Sequence, residues 1–428
     1  MKQVYILTVC MTIVAVSYSM LAPILPIYVL TLGIPESEAP RWAGVAFSVM
    51  FLVSALMAPL WGRFADKYGR KWMVVRAGVL MGITYILSGL ANDPWSFVAS
   101  RIIMGFANGF MPAAITVLSL SVPPDKIGKS MGIFQTGATL GTVVGPIVGG
   151  FLQYTVGMKA VFYLAGIVVF VIGLAVIVLI KEPTVSGAND AAISNKMGGA
   201  QNHNSEGTGS DNEENHGSSE GKHSSSDGNR GWLWLLRSPG IAPILGLFFI
   251  MQSALYLVQP IISLYIASLY GTIAEAAVWA GIMFGIGGLC SVFTTRWWMK
   301  LGDSVGYGKA FSYTLAGAGL CIGLQSVVRG EVGILLFGVL QVISMACLVG
   351  ASPLLSAALS ERSLPTHRGR VFGLSTMSQQ MGQTIGPLCA GVFGEWLGLS
   401  YVFALAGTAL VVVAVSRQVT FRKKHFVR

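Results

Sequence analysis

Three groups of residues combine types and spacings that chemistry could use. Arg101 stands about two turns inside an apolar stretch, and Gly105 and Gly109 follow it at four-residue steps along one helical face. Placing a guanidinium near the centre of a lipid-embedded helix costs on the order of 2.5 to 3.5 kcal/mol on insertion scales, so Arg101 is expected to face a bundle interior and mark a functional path. Snorkelling to the nearby surface is the alternative, and for Arg76 it is the favoured reading. The second group, Gly62-Arg63-Phe64-Ala65-Asp66-Lys67-Tyr68-Gly69-Arg70-Lys71, sets an acid between two glycines inside a cationic cluster. Asp66 suits the exposed N-terminus of another helix, where N–H groups and the dipole favour negative charge. The helix beginning near Gly369 and Arg370 is its expected partner in a latch, and Asp125 a partner for Arg70. The alternative is that these charges only anchor the connection on one side of a membrane. Residues 299–309 carry a weaker copy in which Asp303 and Gly306 keep the interval of Asp66 and Gly69. In the third group Gly137, Gly141, Gly145 and Gly149 recur at four-residue steps beside Pro146 and Gly150. Such a helix side is bare and admits a close neighbour, while the proline removes a hydrogen bond and invites a bend.

Other polar groups sit singly in apolar runs: Ser17, Tyr18, Gln135, Gln252, Tyr256, Gln259, Gln379 and Gln383. Together they would edge a cavity suited to large lipophilic molecules, including cations that stack on rings; alternatively each makes an interhelical hydrogen bond worth roughly 0.6 to 2 kcal/mol. No cluster of intramembrane basic residues awaits an anion. A membrane enzyme would place His or carboxylate pairs or metal ligands near an interface, but the five histidines lie in a polar segment, in the 359–370 connection or in the tail. His203, His216 and His223 have irregular spacing and no cysteine beside them, so neither a metal nor any other cofactor is expected. A phosphate loop for ATP-driven transport is missing too.

These residues need lipid-embedded helices to position them. The 428-residue chain is 54% hydrophobic and 11% charged, whereas about a quarter of a soluble protein is charged. Twelve stretches reach the ~20 apolar residues that span a bilayer. They run approximately over 4–30, 42–61, 72–91, 95–120, 130–153, 158–180, 241–269, 276–298, 309–328, 331–358, 370–394 and 398–416. With both termini inside, Arg63, Lys67, Arg70, Lys71, Lys126, Lys129, Arg296, Lys300, Lys309, Arg362, Arg368, Arg370 and the basic tail share the cytoplasmic side, leaving Arg41, Lys159 and Arg329 outside. That asymmetry accounts for the net charge of +10 without nucleic acid. The five cysteines all fall inside apolar runs and read as buried thiols.

Residues 184–230 are too polar to fold and read as a disordered cytoplasmic linker between an N-terminal bundle, 1–183, and a C-terminal bundle, 231–416, with a basic tail at 417–428. A shift of 241 residues lays Pro124, Gly128, Gly132, Gly141, Gly145, Pro146 and Gly150 on Pro365, Gly369, Gly373, Gly382, Gly386, Pro387 and Gly391. The expected fold is therefore all-α, twelve transmembrane helices in two pseudo-symmetric six-helix bundles. Two parallel repeats of this kind suit a carrier whose central site opens to either side in turn.

The chain resembles the major facilitator superfamily over all but the linker. Gly62 to Lys71 is similar to that superfamily's G-x-x-x-D-R/K-x-G-R-R/K loop, Arg101 and Gly105 to its fourth-helix motif, and Gly137 to Gly150 to the Gly-Pro helix of its drug:proton antiporters. The resemblance implies multidrug export from a cell membrane by a monomer that exchanges a lipophilic substrate for protons. It also implies that Asp66 and Arg70 stabilise an outward-open state and that Arg101 belongs to the proton-coupling neighbourhood. One departure stands out: all 18 acids fall in loops or at span ends, Asp66, Asp93, Glu275 and Glu331 being the nearest to a proton carrier. Export of one metabolite, sugar or siderophore is the other transport reading.

Overall fold

A computed structural model describes residues 2–123, 126–180, 241–270, 273–330, 333–363 and 368–424. The expected linker, Asp125, Glu331 and the side chains of Asp66, Arg368 and Arg370 lie outside what is described. The described residues form fifteen helices and no strand, because a backbone in lipid must pair its polar groups within the helix. The first half holds α1 (Lys2–Met20), α2 (Leu25–Leu30), α3 (Ala39–Tyr68), α4 (Arg70–Leu90), α5 (Pro94–Ala107), α6 (Phe110–Leu120), α7 (Ile127–Val156) and α8 (Met158–Leu179). The second holds α9 (Ala242–Tyr270), α10 (Ile273–Val305), α11 (Tyr307–Gln325), α12 (Gly333–Leu348), α13 (Ala351–Arg362), α14 (Arg368–Trp396) and α15 (Leu399–Lys424).

The helix breaks refine the expected spans. The presumed loop from Gly62 is helical through Tyr68, and Gly69 alone separates α3 from α4, at φ 94°, a left-handed conformation that a side chain resists. The first span breaks between Met20 and Leu25, where Pro23 interrupts it. The fourth span is two helices, since Gly109 takes φ 129° and ends the face on which Arg101, Gly105 and Gly109 were expected to align. The 241-residue shift carries this break to Val349 and Gly350, between α12 and α13, and carries Gly157, φ 84°, onto Gly398, φ 93°. The repeat thus extends from the motif helices to the chain's interruptions.

Ten spans are long and apolar enough to cross a membrane by composition alone. The two remaining elements of the twelve, α11 and α14, are helices as expected but more polar. On α14, which packs against α3 and α9, Gln379, Gln380 and Gln383 are half-buried. Each half has its own apolar core, one drawn from Val4 to Ile180 and the other from Ile241 to Ala414, with Leu264 and Ile27 reaching across. Within the halves α1 packs on α7 and α4 on α8, mirrored by α9 on α14 and α11 on α15; the halves meet where α3 crosses α14 and α7 crosses α10.

Candidate transport site between the two halves

The glycine stripes are faces of close approach. A Cβ at Gly141 would lie 2.6 Å from the Thr12 carbonyl oxygen, and one at Gly145 2.6 Å from that of Val16, so α7 lies against the backbone of α1. Gly137 and Gly149 continue the contact onto Thr8, Thr12 and Met20. Ser19 Oγ lies 3.0 Å from the Gly141 carbonyl oxygen in the turn before Pro146. The other side of the same helix meets the other half. Gly150 would place a Cβ 2.9 Å from the Ala277 carbonyl oxygen, and Gly281 of α10 fits against the Pro146 carbonyl. The second repeat copies both contacts: Gly382 and Gly386 pack on α9 at Phe249 and Ser253, and the Pro387 carbonyl meets Gly44 of α3. Beside this second crossing Arg41 pairs with Glu395 at 3.2 Å and with Glu38 at 2.8 Å.

Both crossings lie at the end opposite the basic connections. At the basic end a Cβ at Gly62, Gly128, Gly132 or Gly373 would meet nothing, so these faces of α3, α7 and α14 have no neighbour there, while Phe134 of α7 and Val371 of α14 are buried on other sides. Among the described residues the glycine faces of the two halves pair at one end and not at the basic end. The ends expected to form the Asp66 latch are at the basic end.

The loop motif does local work as well. Lys71 Nζ donates to the Ile177 carbonyl at 2.7 Å, a cation on the last turn of α8 where the helix dipole favours it. Arg70 lines a cavity of about 310 Å³ at the basic end with Trp61, Asn108 and Gln380. Arg76 borders the same cavity and does not simply snorkel. Its guanidinium stacks 3.5 Å above the Trp61 ring and donates to the carbonyls of Phe106 and Asn108, at 3.3 Å each, which the end of α5 leaves without helical donors. Asn108 Nδ2 then donates to Ser54 Oγ at 3.0 Å, tying the break to α3.

Arg101 faces the interior, with 2% of its surface exposed. One guanidinium nitrogen donates to Ser88 Oγ, and the group lies 5.1 Å from the Phe97 ring and 5.9 Å from that of Phe162. Ser88 in turn shares a hydrogen bond of 2.9 Å with Ser100, and Tyr28 OH donates to the Ser88 carbonyl at 3.2 Å. The neighbouring Gly105 would set a Cβ 2.6 Å from the Met50 carbonyl oxygen, bringing α5 against α3.

Tyr18 is 38% exposed although the residues around it on α1, Ser17, Ser19 and Met20, are buried. Tyr256 stacks edge-on against Phe51 across the two halves at 5.0 Å. Tyr256 and Gln259 line a cavity of about 400 Å³ with Phe284, Gln341 and Ser344 of the second half and Thr142 of the first. Gln252 instead sits at the α9–α14 contact beside Gly382, Gln135 is exposed on α7, and Gln379 leaves the basic-end cavity to its neighbour Gln380. The sequence reading missed the buried Gln325–Gln341 hydrogen bond of 3.0 Å, two amides 16 residues apart with no motif to flag them.

Among the described residues every acid is at a helix end or connection. Asp93 accepts the backbone N–H of Ser96 at 2.9 Å and caps α5; the Ser96 side chain and then its backbone hold the carboxyl below the usual range. Asp303 accepts from Tyr307 OH at 2.7 Å, Glu275 stands exposed in the first turn of α10, and Glu395 is in the ion pair described above.

The sequence profile described as Major Facilitator Superfamily matches residues 7–348 and 244–425. Similar curated proteins include the multidrug resistance protein MdtG of Proteus mirabilis, 28% identical over 411 residues covering 95% of this chain and 92% of that protein. MdtG of Klebsiella pneumoniae is 27% identical, covering 95% and 90%. Among solved structures the fold is similar to the nucleoside transporter NupG, with TM-score 0.71, 15% identity and coverage of 98% and 99%. A D-xylose-proton symporter gives TM-score 0.70, 14% identity and coverage of 97% and 96%. With a profile match across both repeats, and a fold whose halves, breaks and crossings follow one shift, this membrane-spanning chain belongs to the Major Facilitator Superfamily.

Proposed function

We propose that the protein is a secondary active exporter of lipophilic or amphiphilic small molecules, driven by proton antiport through alternating access. The observation that carries this reading is the pair of Gly-Pro crossings, which join the two halves at one end while the glycine faces at the basic end stay unpaired. Interfaces of backbone on backbone can separate as units, and rocking about them would expose the central site on the other side. The relatives named multidrug resistance proteins support export of drugs, and the aromatic and amide cavity supports lipophilic cargo. The basic connections and both termini face the cytoplasm, 1–183 and 231–416 act as the two moving bundles of a monomer, and 184–230 is the linker between them. Asp66 latches the cytoplasmic ends once they close, with Arg70 and Lys71 beside it.

The test is efflux of a neutral lipophilic dye, N-phenyl-1-naphthylamine, from loaded cells. Expression should speed efflux, a protonophore should abolish the gain, and Asp66→Asn should cut it at least about fivefold with the protein still in the membrane. A gain that a protonophore leaves intact would overturn proton antiport, and an unimpaired Asp66→Asn variant would overturn the latch. No gain from well-expressed protein would instead favour an exporter dedicated to one compound.

A further inference from the structure

Two buried amides of the second half are held together for no evident structural gain. Gln325, the last residue of α11, is fully buried, and Gln341 of α12 keeps only 5% of its surface. Gln325 Nε2 donates to Gln341 Oε1 at 3.0 Å, while Gln325 Oε1 is buried without a donor. The gain from one such bond between membrane helices is no larger than the loss from leaving a buried carbonyl oxygen unpaired, so the pair is poor glue. What the bond does achieve is to fix the Gln341 amide. With its oxygen taken by Gln325, Gln341 has two N–H donors left and no acceptor for them among the described residues, on a side chain that lines the cavity of about 400 Å³. The Thr142 and Ser344 hydroxyls of the same cavity already donate to carbonyls of their own helices, at 2.8 Å each. Tyr256 and Gln259 are its other polar groups, and none of the lining residues carries a charge. An ion entering this space would lose its hydration and find no counter-charge, whereas a neutral molecule with one acceptor would satisfy the waiting amide.

We propose that this cavity is the cargo site and that it selects uncharged lipophiles bearing a hydrogen-bond acceptor of the carbonyl type. The acceptor takes an N–H of Gln341, Gln325 is the positioning residue that holds that amide, and the apolar body lies against Tyr256, Phe284 and Met345. The flexible thioether of Met345 lets bodies of different shape fit the same wall. This rests on the export reading above and narrows its substrate class, since permanently charged amphiphiles are rejected.

Three dyes on one naphthalene frame separate the acceptor from charge and lipophilicity: 6-propionyl-2-(dimethylamino)naphthalene, its 6-propyl analogue, which lacks the carbonyl, and its 2-trimethylammonium analogue, which carries a fixed charge. Binding is measured by equilibrium dialysis against the full chain in nanodiscs of uncharged lipid, with empty nanodiscs as the blank. Affinities are compared as ketone-to-propyl ratios, so that partitioning into lipid cancels between variants. Gln341→Leu should lower the wild-type ratio at least about fivefold, the scale of one hydrogen bond between neutral groups. Gln325→Leu, which lets the amide turn, should lower it at least about twofold, and the wild type should bind the charged dye at least about tenfold more weakly than the ketone. An unchanged ratio in Gln341→Leu, or a cation bound as tightly as the ketone, would overturn the proposal. If Gln341→Leu fails to fold, the infrared stretch of a carbon-13-labelled ketone on the wild type decides: it should fall below its value in lipid, and an unshifted stretch would overturn the proposal. An unchanged ratio with both neutral dyes bound sinks only the acceptor site; binding of no dye above the blank sinks the export reading with it.

Discussion

Leucine in place of Gly145 will force α1 away from α7, lower the thermal stability of the purified protein and reduce transport at least about tenfold. A Cβ alone at this position would lie 2.6 Å from the Val16 carbonyl oxygen and 3.0 Å from the Met20 nitrogen, both backbone atoms that cannot rotate aside. Overpacking of this kind costs typically 1 to 3 kcal/mol and sometimes more. Separating the helices would also lengthen the 3.0 Å contact from Ser19 Oγ to the Gly141 carbonyl, leaving the hydroxyl its 2.7 Å hydrogen bond to the Ala15 carbonyl of its own helix. The measurements are the unfolding midpoint in detergent, expected to fall by several degrees, and dye efflux at matched expression. An unchanged midpoint with retained efflux would mean that the close approach of α1 and α7 is dispensable.

Leucine in place of Gly281 will act differently, because Gly281 lies between the halves and not within one. Its neighbours are the Pro146 carbonyl group, whose carbon would be 3.2 Å from a new Cβ, and the Gly150 Cα at 3.3 Å. These contacts exist only while this end of the bundle is closed. A leucine therefore penalises the closed arrangement and leaves the packing inside each half intact, so the penalty becomes a population shift. An added 1 to 3 kcal/mol corresponds to roughly a 5- to 150-fold change in the ratio of the two arrangements. The expected outcome is a loss of efflux of at least about tenfold with an unfolding midpoint close to wild type. A fall in the midpoint like that of Gly145→Leu would show that the α7–α10 crossing is part of the folded core and not a separable gate.

How much of this was legible in the sequence depends on how local the cause is. The stripe of Gly137, Gly141, Gly145 and Gly149 could be read directly because a four-residue step fixes one helical face. What that face met could not be read. That the Pro146 carbonyl lands on Gly281, 135 positions further on, follows from how two bundles dock, although Gly281 and Gly285 show the same step on α10. The fourth span looked continuous because Phe110 to Leu120 is as apolar as what precedes it; the Asn108-Gly109 pair was the available sign of a break, and it was read as part of a face. Arg101 was placed in the interior from its desolvation cost alone, but Ser88 and Phe162 belong to α4 and α8, and no spacing along the chain announces them. Arg76 misled for the opposite reason. Its position near a span end fits snorkelling, while its use as a cap depends on a break in a different helix.

The most direct test of the account is a pair of distances on the two helices that cross between the halves. Spin labels at Thr155 and Glu275 report the closed end of α7 and α10, and labels at Lys129 and Ser304 the basic end of the same helices; all four positions are exposed. The five native cysteines, none of them in a disulfide, are replaced beforehand. Pulsed dipolar spectroscopy in nanodiscs, with and without dye and across a shift from neutral to acidic pH, should reveal two populations whose distances change in opposite senses: as the Thr155–Glu275 distance lengthens, the Lys129–Ser304 distance shortens. One fixed distance for each pair under every condition would contradict alternating access about the Gly-Pro crossings.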